Sequence, residues 1–212
     1  MKSFLFISDF DGTMTAQDFF LQIMYRYEHD KIFSNEVKSG FDLLQYVFCN
    51  AKLTESQLGL EIQRIPLDPN FASVVELVNE YGGDFLILSA GCKYYIERKL
   101  CFDGINNIRI IANEGFYADG GLRMIKDENS RFYSKKFGID KASVVKYFRN
   151  KYDIIAYAGD SYVDFDACRL CDIKFAKNKL ANIFKSIDIY CNEFKNFGDI
   201  KFILSEKLKH IM

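Results

Sequence analysis

Short apolar runs recur along the chain, separated by longer segments in which apolar residues return every three or four positions. The runs Phe4-Leu5-Phe6-Ile7, Phe85-Leu86-Ile87-Leu88, Ile108-Arg109-Ile110-Ile111 and Ile154-Ile155-Ala156-Tyr157-Ala158 have the length of strands, not helices. Two shorter strands are expected at 173–176 and 187–190. Helical spacing covers 71–81, which Gly82-Gly83 ends, and then 94–100, 140–150, 163–170 and 197–210. Residues 115–125 read as a hairpin around Asp119-Gly120-Gly121. Strands alternating with helices predict an α/β fold, a mostly parallel sheet covered on both faces.

The stretch from Ala16 to Asn70 has a different texture. It has helical periodicity and no clear strand: Phe19, Phe20, Ile23 and Met24 mark one apolar face, and Phe41, Leu44 and Phe48 another. Thr54 is placed to cap a helix through Ile62, and the only prolines, Pro66 and Pro69, close the stretch. The chain therefore divides into a core of residues 1–15 and 71–212 and a helical cap, 16–70, inserted after the first strand.

Composition narrows the function. With a net charge of -1 and no basic block, the chain lacks the electrostatic footprint of a nucleic-acid binder. No apolar run is long enough to span a membrane, and the amino terminus runs straight into a strand rather than a leader, which predicts a cytoplasmic protein. The six cysteines are scattered; Cys168 and Cys171 form a C-x-x-C with no second pair to complete a zinc site, so free thiols are expected.

The chemistry concentrates at strand ends. Asp9 and Asp11 follow the first strand, and side chains two apart on an extended chain point to the same side. Two carboxylates ~4 Å apart repel by roughly 4 kcal/mol at an effective dielectric of about 20, so a cation or a proton belongs between them. Gly12 permits the turn away and Thr13 adds a hydroxyl. Such a pair suits phosphoryl transfer, one carboxylate attacking phosphorus and the other serving the leaving oxygen. Ser89, with the amides of Ala90 and Gly91, can hold an anion where the next helix starts. After the strand 153–158, Asp160 should lie beside Asp9. Asp9, Asp160 and the Asp11 carbonyl would then offer hard oxygens to Mg²⁺. Asp164, one helical turn on, faces the same side, whereas Asp166 faces solvent. Lys141 stands at a helix start where the dipole disfavours a cation, which points to a nearby cluster of negative charge; Lys135 and Lys136 are its rivals.

The order D-F-D-G-T, L-S-A-G, an isolated Lys, then G-D-S-x-x-D resembles the haloacid dehalogenase-like (HAD) superfamily of phosphotransferases, over the span from Asp9 to Asp164. The resemblance implies a Rossmann-like core, Asp9 as a nucleophile that forms an aspartyl-phosphate, and Asp11 as general acid/base. It implies Ser89 and Lys141 as phosphate holders, and Asp160 and Asp164 on the metal side. The helical cap after the first motif, and Asp18 at its entrance, are similar to the phosphoserine phosphatase-like branch. The runs Gly138 to Lys141 and Phe175-Ala176-Lys177 are similar to the methionine-salvage and phosphocholine/phosphoethanolamine phosphatases of that branch. G-D-S-Y-V-D departs from the G-D-G-x-N-D of the phosphoserine enzymes, and Phe10 stands where P-type ATPases carry a lysine.

The reading that results is a Mg²⁺-dependent phosphatase acting on a small phosphorylated metabolite. A phosphotransferase or mutase would use the same residues. A binding protein with a vestigial site would lack part of the set, which is complete here. Asp18, Tyr25, Arg26 and Arg64 are the expected cap contacts to substrate.

Overall fold

The computed structural model describes residues 3–27 and 40–211. Strand β1 (Phe4–Ser8) leads through a tight turn, Phe10–Met14, into helices α1 (Phe19–Arg26), α2 (Gly40–Asn50), α3 (Glu55–Gln63) and α4 (Phe71–Glu80). Then come β2 (Asp84–Cys92), α5 (Lys93–Phe102), β3 (Arg109–Asn113) and a hairpin of β4 (Gly115–Ala118) and β5 (Gly121–Met124). A short ladder of β6 (Tyr133–Ser134) and β7 (Gly138–Ile139) precedes α6 (Lys141–Arg149) and β8 (Ile154–Gly159). The chain closes with α7 (Phe165–Cys168), β9 (Ile173–Ala176), α8 (Asn178–Ser186), β10 (Asn192–Glu193) and α9 (Phe197–Ile211).

The main sheet has the order β10-β9-β8-β1-β2-β3, and every pair in it is parallel. Alternate side chains of β1 feed two cores. Phe4 and Phe6 join one face with α4 and α9, while Leu5 and Ile7 join the other with α6, α7 and α8. That two-sided burial is why the strands read as unbroken apolar runs. The chain leaves β1 toward β2 on one side and returns to β8 on the other. The carboxyl ends of β1 and β8 thus flank a topological switch point, the crevice where ligands bind in such sheets.

Helices α1 to α3 fall within the stretch read as helical, and residues 28–39 of that stretch lie outside the described residues. Thr54 caps α3 as expected, with Gln57 completing a reciprocal capping box. The two ends of the stretch are laced together: Ala16 N–H donates to the Pro66 carbonyl at 2.9 Å and Asp68 N–H to that of Met14 at 2.9 Å. Phe19, Ile23 and Phe48 share an apolar cluster with Phe6 and Phe85 of the sheet. The inserted helices therefore pack on the core rather than around a separate centre. Helix α2 also packs on β5 of the hairpin.

Several elements differ from their sequence reading, the unexpected β6–β7 ladder among them. Residues 187–190 form no strand: the chain turns out of α8 there, with Asp188 at φ 54°, and the edge pairing comes at Asn192 and Glu193. Helix α8 itself was hidden by its lysines; Leu180, Ala181 and Phe184 make only a narrow buried stripe. The helix expected at 163–170 contracts to Phe165–Cys168, since the preceding amides turn back onto Asp164. The cysteines are free; Cys168 and Cys171 are buried in the core, where burial pushes the Cys171 thiol up to about 12.

Candidate active site

Asp9 stands one residue beyond β1, its N–H held at 2.9 Å by the Ala158 carbonyl of β8. That register places it beside the Gly159-Asp160 turn. Gly12 sits at φ +71°, and a Cβ there would come within 2.7 Å of Asp160 Oδ2, so the turn after Asp9 needs glycine for conformation and for space.

Lys141, at the first position of α6, is 4% exposed and bridges two carboxylates, with Nζ 2.7 Å from Asp9 Oδ1 and 2.7 Å from Asp164 Oδ1. Burial works against its charge, but Asp164 and Asp9 outweigh that and hold the ammonium above its ordinary value. Lys135 and Lys136 are exposed. Burial, then the charge of Asp164, pushes Asp9 well above the usual carboxylate range, against the pull of Lys141. Burial and Asp164 likewise raise Asp160 to about 6.

Asp164 is fully buried and its oxygens are taken. Oδ1 accepts from Lys141 and, at 2.8 Å, from the Tyr157 hydroxyl; Oδ2 accepts from the amides of Asp160 and Ser161 and from the Ser161 hydroxyl. It ties α6, β8 and the Asp160 turn into one piece. Asp166 lies in contact with solvent and pairs with Arg169, as its sequence position suggested.

Asp11 accepts from Phe19 N–H at 3.0 Å and from the Tyr95 hydroxyl. Burial, then the charge of Asp18, pushes it up to about 7, partly offset by the Tyr95 hydrogen bond. Asp18 caps α1, accepting from Phe20 N–H at 2.8 Å and Leu21 N–H at 3.4 Å. Thr13 is buried; its hydroxyl donates to Asp160 Oδ1 at 3.4 Å, and its carbonyl accepts from Lys177 Nζ at 3.1 Å.

Ser89, Ala90 and Gly91 belong to the end of β2, not to a helix start, which comes later at Lys93. Gly91 N–H is spent on Ser89 Oγ at 2.9 Å, so of the expected pair of amides that of Gly91 is already committed. Asn113 Nδ2 anchors this loop from β3, donating to the Ala90 carbonyl at 2.7 Å and the Phe137 carbonyl at 2.9 Å.

Asp9, Asp11, Ser89, Ala90, Gly91, Lys141 and Asp160 open on one cavity of about 1180 Å³, whereas Asp164 and Thr13 are buried behind its wall. Phe20, Leu21, Phe41, Leu43 and Leu44 line it from the inserted helices, with Asp18 at their edge. Lys177 and Asn178 line it from the far side. Tyr25, Arg26 and Arg64, expected as substrate contacts, are not among its described lining. Arg26 and Arg64 instead pair with buried Glu61 at 3.0 and 2.6 Å, and Tyr25 is 75% exposed. Glu61 drew them because its carboxylate, inside the helical packing, needs donors. Sequence reasoning missed Tyr95, Tyr157 and Lys177. The available signal was a phenol in an otherwise apolar context, whose hydroxyl needs a partner when buried.

Oxygens of Asp9, Asp160 and Asp164 lie within 4.8 Å of one another, a donor set of hard carboxylates that fits a small divalent cation. Lys141 alone leaves this cluster net negative, which a divalent cation would correct.

Comparisons with known proteins agree with the motif reading. The bifunctional enzyme MtnB/MtnX of Bacillus licheniformis is 25% identical over 97% of this chain, which spans 50% of that enzyme's length. The 2-hydroxy-3-keto-5-methylthiopentenyl-1-phosphate phosphatases of Exiguobacterium sibiricum and Bacillus cereus are each 23% identical, over 92% and 96% of this chain and 93% and 95% of their own. Among solved structures, a substrate-bound phosphoserine phosphatase superposes with a TM-score of 0.68 at 15% identity, covering 94% of this chain and 97% of the other. A phospho-aspartyl intermediate analogue of phosphoserine phosphatase gives 0.66 at 16% identity, with 94% and 98% covered. A scan against protein-family profiles finds no match. The chain shares the fold of the phosphoserine phosphatases, and over nearly its whole length it is similar in sequence to 2-hydroxy-3-keto-5-methylthiopentenyl-1-phosphate phosphatases, in line with the motif order that resembles the haloacid dehalogenase-like superfamily.

Proposed function

We propose that the protein is a Mg²⁺-dependent phosphoric monoester hydrolase acting on a small phosphorylated metabolite through a phosphoryl group carried on Asp9. The observation that carries this reading is the bridge of Lys141 between Asp9 and Asp164 at the switch point, with Asp11 and Asp160 beside it. Residues 16–70 act as a cap over a core formed by 1–15 and 71–212.

In the first step a carboxylate oxygen of Asp9 forms a bond to phosphorus as the ester P–O bond breaks, and Asp11 passes its proton to the departing oxygen. In the second, a water gives a proton to Asp11 and attacks phosphorus, and the bond to Asp9 breaks. The raised value of Asp11, about 7, suits a group that gives and takes one proton near neutral pH. Ser89 and the Ala90 amide face the phosphoryl oxygens, and Lys141 orients Asp9 and favours its ionised form against the burial that opposes it. Asp9, Asp160 and the Asp11 carbonyl would hold Mg²⁺; when bound it neutralises the phosphoryl oxygens and polarises phosphorus. Asp164 adds charge to the metal side but has its oxygens committed to positioning Lys141 and the Asp160 turn. The apolar lining from α1 and α2 meets the leaving group, and closure of the cap over it would exclude water from the first step.

The test is phosphate release from a panel of monoesters, including phosphoserine, phosphocholine, phosphoethanolamine, sugar phosphates and the methionine-salvage intermediate, with and without Mg²⁺. Release that needs Mg²⁺ and disappears in Asp9→Asn supports the reading. Equal background in both proteins contradicts it.

A further inference from the structure

Tyr95 lies in the first turn of α5, three residues past the end of β2, and is 1% exposed. Its ring is wedged among Phe10, Phe19 and Phe48, with centroids 6.1, 4.6 and 5.9 Å away. A phenol in such surroundings is stable only if its hydroxyl is satisfied. The partner is Asp11 Oδ2. The other oxygen of Asp11 accepts from Phe19 N–H, the first amide of α1. The carboxyl is thus gripped from two sides, by the helix after the phosphate loop and by the helix that opens the inserted segment.

Gly91 gives a second, independent sign that this contact is built in. A Cβ on Gly91 would collide with the Tyr95 hydroxyl oxygen and come within 2.9 Å of Asp11 Oδ2. The phosphate loop is bare at this position, and the space is filled by the Tyr95–Asp11 pair. Ring packing alone would be served equally by phenylalanine; only the hydroxyl needs that space.

We propose that Tyr95 is a positioning residue: its hydroxyl fixes the rotamer of Asp11 so that one carboxyl oxygen is presented to the leaving oxygen of the substrate. The proposal rests on the reading of Asp11 as the acid that protonates that oxygen. Orientation matters because proton transfer demands a hydrogen-bonded approach to the departing atom, and a carboxyl free to rotate spends only part of its time there.

The test compares the wild type, Tyr95→Phe and Asp11→Asn on two substrates, an alkyl phosphate such as glycerol 2-phosphate and 4-nitrophenyl phosphate. The alkoxide needs a proton to leave; the nitrophenolate does not. General acid catalysis is worth about 10²–10⁴, so losing the alignment but not the acid should lower the alkyl-to-aryl ratio of kcat/KM by roughly tenfold in Tyr95→Phe. The ratio should fall further in Asp11→Asn, with the melting temperature of Tyr95→Phe close to wild type. A wild-type ratio in Tyr95→Phe, or an equal loss on both substrates, overturns the role of Tyr95 while leaving that of Asp11 intact if Asp11→Asn still loses selectively. A wild-type ratio in Asp11→Asn removes the acid and Tyr95's role with it. A crystal structure of Tyr95→Phe decides the point without turnover: Asp11 should leave its wild-type rotamer, and an unmoved carboxyl overturns the proposal.

Discussion

The ammonium of Lys141 lies 2.7 Å from Asp9 Oδ1, a contact between two buried side chains that joins the first turn of α6 to the end of β1. The same nitrogen reaches Asp164, so one cation serves two buried carboxylates. Removing it should leave both uncompensated. Lys141→Met is expected to lose phosphatase activity and to destabilise the fold by about 3–5 kcal/mol, the usual cost of breaking a buried ion pair from one side. Urea unfolding checks the second part; an unchanged midpoint would mean that water already screens the cluster.

The acidic site makes stability depend on pH in an unusual direction. Burial raises Asp11 to about 7 and Asp160 to about 6 from the ordinary 3.8. Between about pH 4 and pH 7 the folded chain therefore holds protons that the unfolded chain has released, and stability falls as pH rises through that window. The melting temperature of metal-free protein should be higher near pH 5 than near pH 8. Mg²⁺ should raise it more at pH 8, where it stabilises the ionised carboxylates. Differential scanning calorimetry with and without a chelator measures both; a metal-free melting temperature that climbs over this range would refute the assignment.

Gly12 tests the coupling between the turn and the metal side. In Gly12→Ala the side chain meets Asp160 at 2.7 Å on a backbone at φ +71°. Strain of about 1–3 kcal/mol and a displaced Asp160 should follow. Mg²⁺ activation should shift to higher concentration by roughly tenfold, the equivalent of about 1.4 kcal/mol. A Mg²⁺ titration of activity reads this directly.

Glu61 is buried in the inserted helices, accepting from Gln22, Arg26, Tyr27 and Arg64. Both arginines are about half exposed, so solvent weakens their share. Glu61→Ala should still cost about 1–3 kcal/mol, because buried Gln22 and half-buried Tyr27 lose their acceptor. Its effect on kcat should be smaller than that of any change at Asp9, Asp11 or Lys141, since Glu61 is not among the described residues lining the cavity. Thermal melts beside steady-state kinetics separate the two.

Most of the sheet could be read from the chain because β1, β2 and β8 are buried on both faces and announce themselves as apolar runs. Elements with one thin buried stripe could not: α8 buries only Leu180, Ala181 and Phe184, and the edge pairing falls at Asn192 rather than at 187–190. At the site, Asp9, Asp11 and Asp160 follow from their places at strand ends, and Lys141 from a charge that its helix position disfavours. The partners that hold them come from other elements of the fold. Tyr95 reaches Asp11 across β2, and Tyr157 reaches Asp164 from within a strand whose pattern is otherwise wholly apolar. No local periodicity encodes such contacts; they exist only once the sheet order is set. Arg26 likewise reaches Glu61 from another helix, whereas Arg64 pairs with it locally, three residues on from Glu61 at the end of α3.

The most direct test of the central claim is to trap the phosphoryl enzyme. Protein mixed with a turned-over monoester and Mg²⁺ would be quenched in acid within the steady state, digested, and sequenced by mass spectrometry. The account predicts one added phosphoryl group on the peptide that contains Asp9, located on Asp9 itself, and none in Asp9→Asn. Phosphate release with the label on another residue, or with no covalent species at any quench time while Asp9→Asn remains active, would contradict it.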